Sequence, residues 1–180
     1  MQKRSNNTKI RNATAIKACG ITFKSKLEKI IYTSLKDLGF NPKYEPITFT
    51  LIEGFDPITP FYDKETDKQF EKRKAKGGKG PKILVLKDSN IVGIRYTPDF
   101  YIRYNDLDIY IEAKGIENDV FYIKKKLFRK YLDKVLKDTG QKSLFFEVYT
   151  KSQLLQTTKI IKEYDRLLSE NKEFDKNSTS

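Results

Sequence analysis

The sequence contains no histidine and no tryptophan, and it has a single cysteine, Cys19, among its 180 residues. Without histidine, neither a Ser-His-Asp triad nor a Cys-His nucleophilic site can be assembled. One cysteine cannot form an intrachain disulfide, which favours a reducing compartment, and it cannot supply the several Cys or His ligands of a usual zinc site. Carboxylates, lysines, hydroxyls and hard cations therefore remain as the means for hydrolytic chemistry.

Long apolar segments are also missing. No apolar run reaches the length of a membrane span, and the N-terminus lacks the apolar stretch of a signal peptide. We therefore expect a cytoplasmic protein without a membrane partner. Charge is plentiful instead, because 36 Lys and Arg face 24 Asp and Glu, a formal net charge of +12. Such a surplus favours a polyanionic partner.

The basic residues gather in three segments. Residues 1–20 precede the first acidic residue, Glu28, and we expect a flexible basic arm that contacts nucleic acid, the alternative being a frayed terminus. The second segment surrounds the glycines at 77–80 and is predicted to be a flexible loop, and the third lies on a predicted helix; a solvated surface is the alternative for both. The candidate DNA-binding residues are Lys3, Arg4, Lys9, Arg11, Lys17, Lys24, Lys26, Lys72, Arg73, Lys74, Lys76, Lys124 and Lys125.

Hydrophobic spacing predicts an α/β fold with helices packed on a sheet. The predicted helices cover 23–38, 119–137 and 152–168. The predicted strands cover 46–52, 83–86, 91–96, 99–104, 107–113 and 143–149, with hairpin turns at 87–90 and 105–106. Residues 21–168 then form one domain, in which the weakly patterned segment 55–82 is an insertion or a bridge to another subunit, and residues 169–180 are a polar tail.

Two carboxylates and a lysine are predicted to converge at one end of a hairpin. Glu112 and Lys114 are two positions apart in a strand, so they share a face, and Asp99 begins the neighbouring strand after Pro98. Mg²⁺ prefers oxygen ligands and commonly takes one or two carboxylates with waters. Asp99, Glu112 and the carbonyl of Ala113 are therefore candidate ligands. Lys114 is placed to orient or deprotonate a water, or to stabilise charge on phosphorus.

Glu28 is the fourth candidate, because it borders the apolar stripe of the first predicted helix. An alternative is that it only completes a capping box with Ser25. Glu112 and Lys114 have the alternative of a surface pair within the sheet, and Pro98-Asp99 that of a plain turn. The apolar strands around the motif favour the catalytic interpretation.

Three blocks in this order resemble the PD-(D/E)xK nuclease superfamily and, more narrowly, phage endonuclease I, a family of Holliday-junction-resolving enzymes. The blocks are Phe23-Lys24-Ser25-Lys26-Leu27-Glu28, Tyr96-Thr97-Pro98-Asp99-Phe100 and Ile111-Glu112-Ala113-Lys114-Gly115. The resemblance covers residues 20–150 and implies a restriction-endonuclease-like mixed sheet flanked by helices. The segment before the Pro98-Asp99 block is longer than the family leads us to expect.

The resemblance also implies roles and partners. Glu28, Asp99 and Glu112 would be acidic active-site groups, with Asp99 and Glu112 on the main Mg²⁺ or Mn²⁺ ion and Glu28 at a second one. Lys114 would be the catalytic lysine, the substrate branched DNA such as a four-way junction, and the enzyme a homodimer with swapped strands. Related small phage nucleases share the motif without junction specificity. A basic nucleic-acid-binding protein without catalysis is the alternative from another class.

Overall fold

The computed structural model describes residues 15–115 and 119–177, and the side chains of the last helix as far as residue 170. Local sequence explains the helix ends. Ser25 caps the first helix, α1 (Lys26–Asp37), because its side chain accepts a hydrogen bond from the Glu28 N–H, and Gly39 follows the helix with a positive φ of 84°. In chain order the elements are β1 (Ile16–Ala18), β2 (Ile21–Phe23), α1 (Lys26–Asp37), β3 (Lys43–Tyr44), β4 (Phe49–Ile52), β5 (Tyr62–Lys64), α2 (Asp67–Ala75), β6 (Leu84–Leu86), β7 (Ile94–Tyr96), β8 (Phe100–Tyr104), β9 (Leu107–Ala113), α3 (Asp119–Thr139), β10 (Lys142–Val148) and α4 (Lys151–Asn177).

The central sheet is mixed, with the strand order β10-β9-β8-β3. Strand β9 pairs antiparallel with β8 and parallel with β10. Alternate residues of β9 point to opposite faces, so its apolar set at 107, 109 and 111 packs with α1 and α4 in the buried core. Ile31 and Leu35 of α1 and Ile161 of α4 belong to that core and are fully buried.

The opposite face of the sheet carries an aromatic layer under α3. Phe128 of α3 is fully buried, and its ring centroid lies 5.3 Å from that of Tyr110 on β9 and 4.8 Å from that of Tyr96. The Phe145 ring of β10 approaches Phe128 edge-on at 5.3 Å. Helices therefore cover both faces of a mixed sheet, which confirms the predicted α/β class.

The chain divides into two compact units. The main unit comprises residues up to Phe49 and from Tyr96 onward, and the inserted unit comprises residues 50–95. Within the inserted unit, β5 pairs antiparallel with β6, and α2 begins at a capping box made by Thr66 and Gln69. Glu65 is the one buried residue among these 46, all of which the structure describes.

Two expectations for the inserted unit are wrong. The segments 83–86 and 91–96 do not pair across 87–90, because β6 pairs with β5 and β7 pairs with β4. Strand propensity is local and does not select the partner, which here comes from a segment about 20 residues earlier in the chain. The segment around 72–82 is also less loop-like than expected, since α2 runs to Ala75 and includes half of its basic residues.

The chain ends also differ from expectation. Residues 16–18 of the predicted arm form β1, which pairs with β2. Helix α4 continues to Asn177 through most of the predicted tail, because residues 169–177 contain no proline or glycine that would end it. Residues 1–14 of the arm lie outside the described residues. Within the part of the chain that is described, no helix is both long enough and apolar enough to cross a membrane.

Candidate active site

Asp99 and Glu112 lie opposite each other at the open end of the β8–β9 hairpin. The antiparallel register pairs Phe100 with Ile111, so the next step of the ladder places Asp99 opposite Glu112 on one face. The Asp99 carboxylate accepts a hydrogen bond from the Ala113 N–H, with 2.7 Å between Oδ2 and N. The structure therefore brings together the two carboxylates that the sequence predicted to converge.

Donors hold both oxygens of Glu112. The Tyr96 hydroxyl donates to Oε2 at 2.8 Å, and the Lys114 ammonium donates to Oε1 at 3.3 Å. The Lys114 nitrogen also lies 3.6 Å from the centroid of the Phe121 ring, a cation–π contact that fixes its position. Glu112 is only 7% exposed. This carboxylate is therefore pre-oriented beside the lysine.

Glu28 lies buried in the first turn of α1, and its carboxylate accepts three hydrogen bonds. Oε1 accepts from the Ser25 hydroxyl at 2.9 Å. Oε2 accepts from the Tyr44 hydroxyl at 2.6 Å and from the Lys24 N–H at 2.9 Å. Glu28 thus contributes to the N-terminal cap of α1, but the backbone N–H that its carboxylate accepts belongs to Lys24 and not to Ser25, as the expected capping box would require. A carboxylate has about four lone-pair sites, so one site remains for another partner.

Negative charge is concentrated around Asp99. Burial raises the pKa of Asp99 above its ordinary value, and the charges of Glu112, Glu28 and Glu45 raise that pKa further, while the Ala113 N–H opposes the change. Burial also raises the pKa of Glu112, against the lowering effects of the Tyr96 hydrogen bond and the Lys114 charge. A cation bound here would compensate the burial of like charges.

These residues fit Mg²⁺ or Mn²⁺ through two carboxylates. In residues 15–115 and 119–170, no group of three or more His, Cys, Asp or Glu side chains is arranged to hold a metal ion. Asp99 and Glu112 form a pair instead, and a pair suffices for Mg²⁺, which keeps several of its waters and takes one or two carboxylates. The raised pKa values of both groups agree with this donor set. The Ala113 carbonyl stays a predicted third ligand.

Sequence reasoning missed several polar neighbours of the site. Glu147 on β10 lies beside Glu112 in the parallel register, and its Oε2 accepts from the Lys125 ammonium at 2.9 Å. A single carboxylate within the apolar strand Leu144–Val148 was the signal for it. Glu45 has a φ of +43° and donates its N–H to the Asp99 carbonyl at 2.8 Å, a contact for which the sequence carries no signal. The hydroxyl partners Tyr44 and Tyr96 were missed as well.

The predicted DNA-binding residues have different surroundings. Lys3, Arg4, Lys9 and Arg11 lie outside the described residues. The exposed ones are Lys17, Lys24, Lys26, Lys72, Lys74 and Lys76, and of these Lys24 pairs with Glu45. Lys124 is half-buried. Arg73 and Lys125 hold Glu65 and Glu147 respectively. Binding of DNA by this set stays a prediction.

Comparison with known proteins adds no identification. The chain matches no family model, no curated protein and no solved structure. The structure itself shows the mixed α/β class. That this fold is restriction-endonuclease-like stays a prediction.

Proposed function

We propose that this protein is a divalent-metal-dependent DNA endonuclease of the PD-(D/E)xK type that cuts branched DNA. The observation that supports the proposal most is the pair of the half-buried Asp99 and the buried Glu112, which lie on one face with raised pKa values, with Lys114 beside Glu112. Buried like charges are costly, and they persist where a function requires them. The basic surplus of the chain suits a phosphodiester substrate.

The proposed roles follow from the contacts. Hydrolysis forms a bond from a water oxygen to phosphorus while a bridging P–O bond breaks, and the leaving oxygen gains a proton. Asp99 and Glu112 would hold Mg²⁺ or Mn²⁺, which when bound would supply Lewis-acid stabilisation of charge on the phosphoryl oxygens and would acidify a water. Lys114, whose ammonium donates to Glu112, orients the attacking water and stabilises charge on phosphorus, and the proton that the water loses passes to solvent. Tyr96 and the Ala113 N–H hold the two carboxylates in position.

The test is cleavage of a labelled four-way junction and of a duplex of matching sequence, each with Mg²⁺ and with EDTA. We expect Mg²⁺-dependent cutting of the junction with the duplex spared. Asp99→Asn and Lys114→Ala should abolish cutting and keep binding. Asp133→Asn and Lys134→Ala are matched controls, because both residues are exposed on α3, and they should cut normally.

The outcomes separate the candidate functions. No metal-dependent cleavage of either DNA contradicts the endonuclease proposal, and DNA binding without cleavage would support the non-catalytic binding protein. Equal cutting of junction and duplex would retain the nuclease and remove the junction preference. Cutting by Asp99→Asn at the wild-type rate would show that the site is elsewhere.

We also propose that the enzyme acts as a homodimer. The support is the inserted unit, which buries none of its apolar side chains and exposes ten large ones. A 46-residue unit without an apolar core needs further cover for stability, and a junction offers two strands for two active sites. The ten exposed residues are Ile52, Phe55, Ile58, Phe61, Tyr62, Ile83, Leu84, Leu86, Ile91 and Val92.

A further inference from the structure

The first turns of α3 carry an exposed aromatic side chain among lysines. Tyr122 is 50% exposed. The Lys126 ammonium lies 4.3 Å from the centroid of its ring, and that of Lys125 lies 5.3 Å away. An aromatic ring that is solvent-accessible and flanked by cations has the chemistry of a stacking platform for a nucleobase beside a phosphate.

This platform lies close to the candidate active site. The Lys125 nitrogen lies 5.5 Å from the ring centroid of Phe121 and 5.3 Å from that of Tyr122. It also donates a hydrogen bond to the Glu147 carboxylate. The Lys114 ammonium also lies over the Phe121 ring, 3.6 Å from its centroid. Three successive contacts therefore connect Lys114 to Tyr122, with Phe121 and Lys125 between them.

A cationic stripe extends from Tyr122 along the same helix face. Lys126, Arg129 and Lys130 follow Tyr122 at spacings of four, seven and eight, and all three are exposed. No acidic residue lies between 120 and 132. Eight residues of helix rise about 12 Å, which is long enough to follow a short stretch of nucleic-acid backbone.

We propose that Tyr122 stacks on an unpaired base of the DNA substrate next to the scissile phosphate, with the stripe on α3 binding the adjoining backbone. Duplex DNA keeps its bases stacked on one another, so the platform favours DNA with unpaired bases, such as a branch, flap or single strand. This proposal deepens the proposed function and rests on it for the position of the scissile phosphate. It assigns a specificity-determining role to α3.

The test measures binding without cleavage, in EDTA, to three fluorescein-labelled DNAs: a duplex, the same duplex with a three-nucleotide unpaired segment, and a single strand. We expect wild type to prefer the two DNAs with unpaired bases. Tyr122→Ala should lose roughly tenfold in affinity for those two and change less than twofold on the duplex, because stacking contributes about that much per base. Tyr122→Phe keeps the ring and should bind like wild type.

Two controls complete the design. Tyr164→Ala removes another partly exposed tyrosine, on α4, and should leave all three affinities unchanged. Lys126→Ala should weaken binding to all three DNAs and reduce the salt dependence of that binding, as expected of a phosphate contact. The proposal would be overturned if Tyr122→Ala lost affinity equally for all three DNAs or kept its affinity for the DNAs with unpaired bases. It would also be overturned if the wild type bound those DNAs no more tightly than the duplex.

The failures of the two proposals are distinguishable. Metal-dependent cleavage with no effect of Tyr122→Ala on binding would remove only the stacking role. A tyrosine-dependent preference for unpaired DNA, without metal-dependent cleavage, would remove only the endonuclease.

Discussion

At the scale of single residues, Tyr96 shows how the site is held. Its buried hydroxyl donates to Glu112 at 2.8 Å, and burial together with the charge of Glu112 raises the pKa of this phenol, so it stays protonated as a donor. Groups that orient a metal-binding carboxylate commonly change metal affinity or activity by about 10–100-fold when removed. We therefore propose that Tyr96 acts through Glu112 as a positioning residue.

We predict that Tyr96→Phe raises the Mg²⁺ concentration needed for half-maximal cleavage by about tenfold, because Glu112 loses its orienting donor. The matched control is Tyr101→Phe, which removes a similar hydroxyl that donates to Asp108 at 2.8 Å. Both variants are assayed for cleavage across a Mg²⁺ titration and for thermal unfolding. An equal rise in the required Mg²⁺ concentration in both variants would contradict the positioning role.

A second prediction concerns the charge of Asp99 and thermal stability. Its folded-state pKa is raised, so the carboxyl binds its proton more tightly in the folded than in the unfolded protein. Stability from this group is complete below the unfolded pKa and is lost as pH rises through the folded pKa. We expect the metal-free protein to unfold at lower temperature at pH 8 than at pH 5, and Asp99→Asn to reduce that difference.

Metal addition tests the same charge. Mg²⁺ or Mn²⁺ should raise the unfolding temperature of the wild type at pH 8 by mass action, by roughly 2–4 °C for each kcal/mol of binding free energy, and EDTA should reverse the shift. Asp99→Asn should unfold at a higher temperature than metal-free wild type and show no metal shift. A metal shift in Asp99→Asn as large as in wild type would exclude Asp99 as a ligand. Asp133→Asn is the control.

At the scale of elements, the sequence predicted those helices and strands whose positions are determined by a local pattern of residues. Helices α1 and α3 and the β8–β9 hairpin lie where apolar spacing and turn residues put them, and the motif residues of that hairpin meet as expected. The partner of β6 was mispredicted because pairing depends on a distant segment, β5. The contact between Glu45 and Asp99 could not be predicted either, because it joins residues 54 positions apart through backbone atoms.

The glycine-containing loop after α2 is built around one arginine. Arg73 donates to both oxygens of Glu65 and to the carbonyls of Lys79 and Pro81. Gly78 packs against it so closely that a Cβ there would lie 2.6 Å from the Arg73 Cγ. The arginine therefore organises the loop through contacts within the inserted unit.

We predict that Arg73→Gln increases amide hydrogen exchange in residues 76–83, because Glu65 and two carbonyls lose their donor. Exchange measured by mass spectrometry should change little in the main unit. The control is Lys74→Gln, an exposed neighbour whose ammonium lies over the Phe70 ring at 4.7 Å. Unchanged exchange in Arg73→Gln, or an equal increase in Lys74→Gln, would contradict the organising role.

At the scale of the whole molecule, the two units differ in how they are stabilised. Among the described residues of the main unit, thirteen buried ones form one apolar cluster, whereas the inserted unit buries only Glu65. On the β5–β6 sheet, Tyr62 pairs with Leu86, and Leu84 lies on the same face two positions away. Leu84 is 68% exposed. Such an apolar face on a two-stranded sheet is marginal alone and favours association.

The final prediction is that this face contributes to a homodimer. Light scattering after size exclusion should give twice the chain mass for wild type, and Leu84→Gln combined with Leu86→Gln should shift the protein toward monomer while the core of the main unit keeps its unfolding transition. Ile160→Gln, an exposed apolar residue of α4, is the control and should remain dimeric. A wild type that is monomeric at all concentrations, or a double variant that stays dimeric, would contradict it. The proposed junction cleavage requires a cut on each of two strands, so we expect paired cuts from the wild type and single nicks from the monomeric variant.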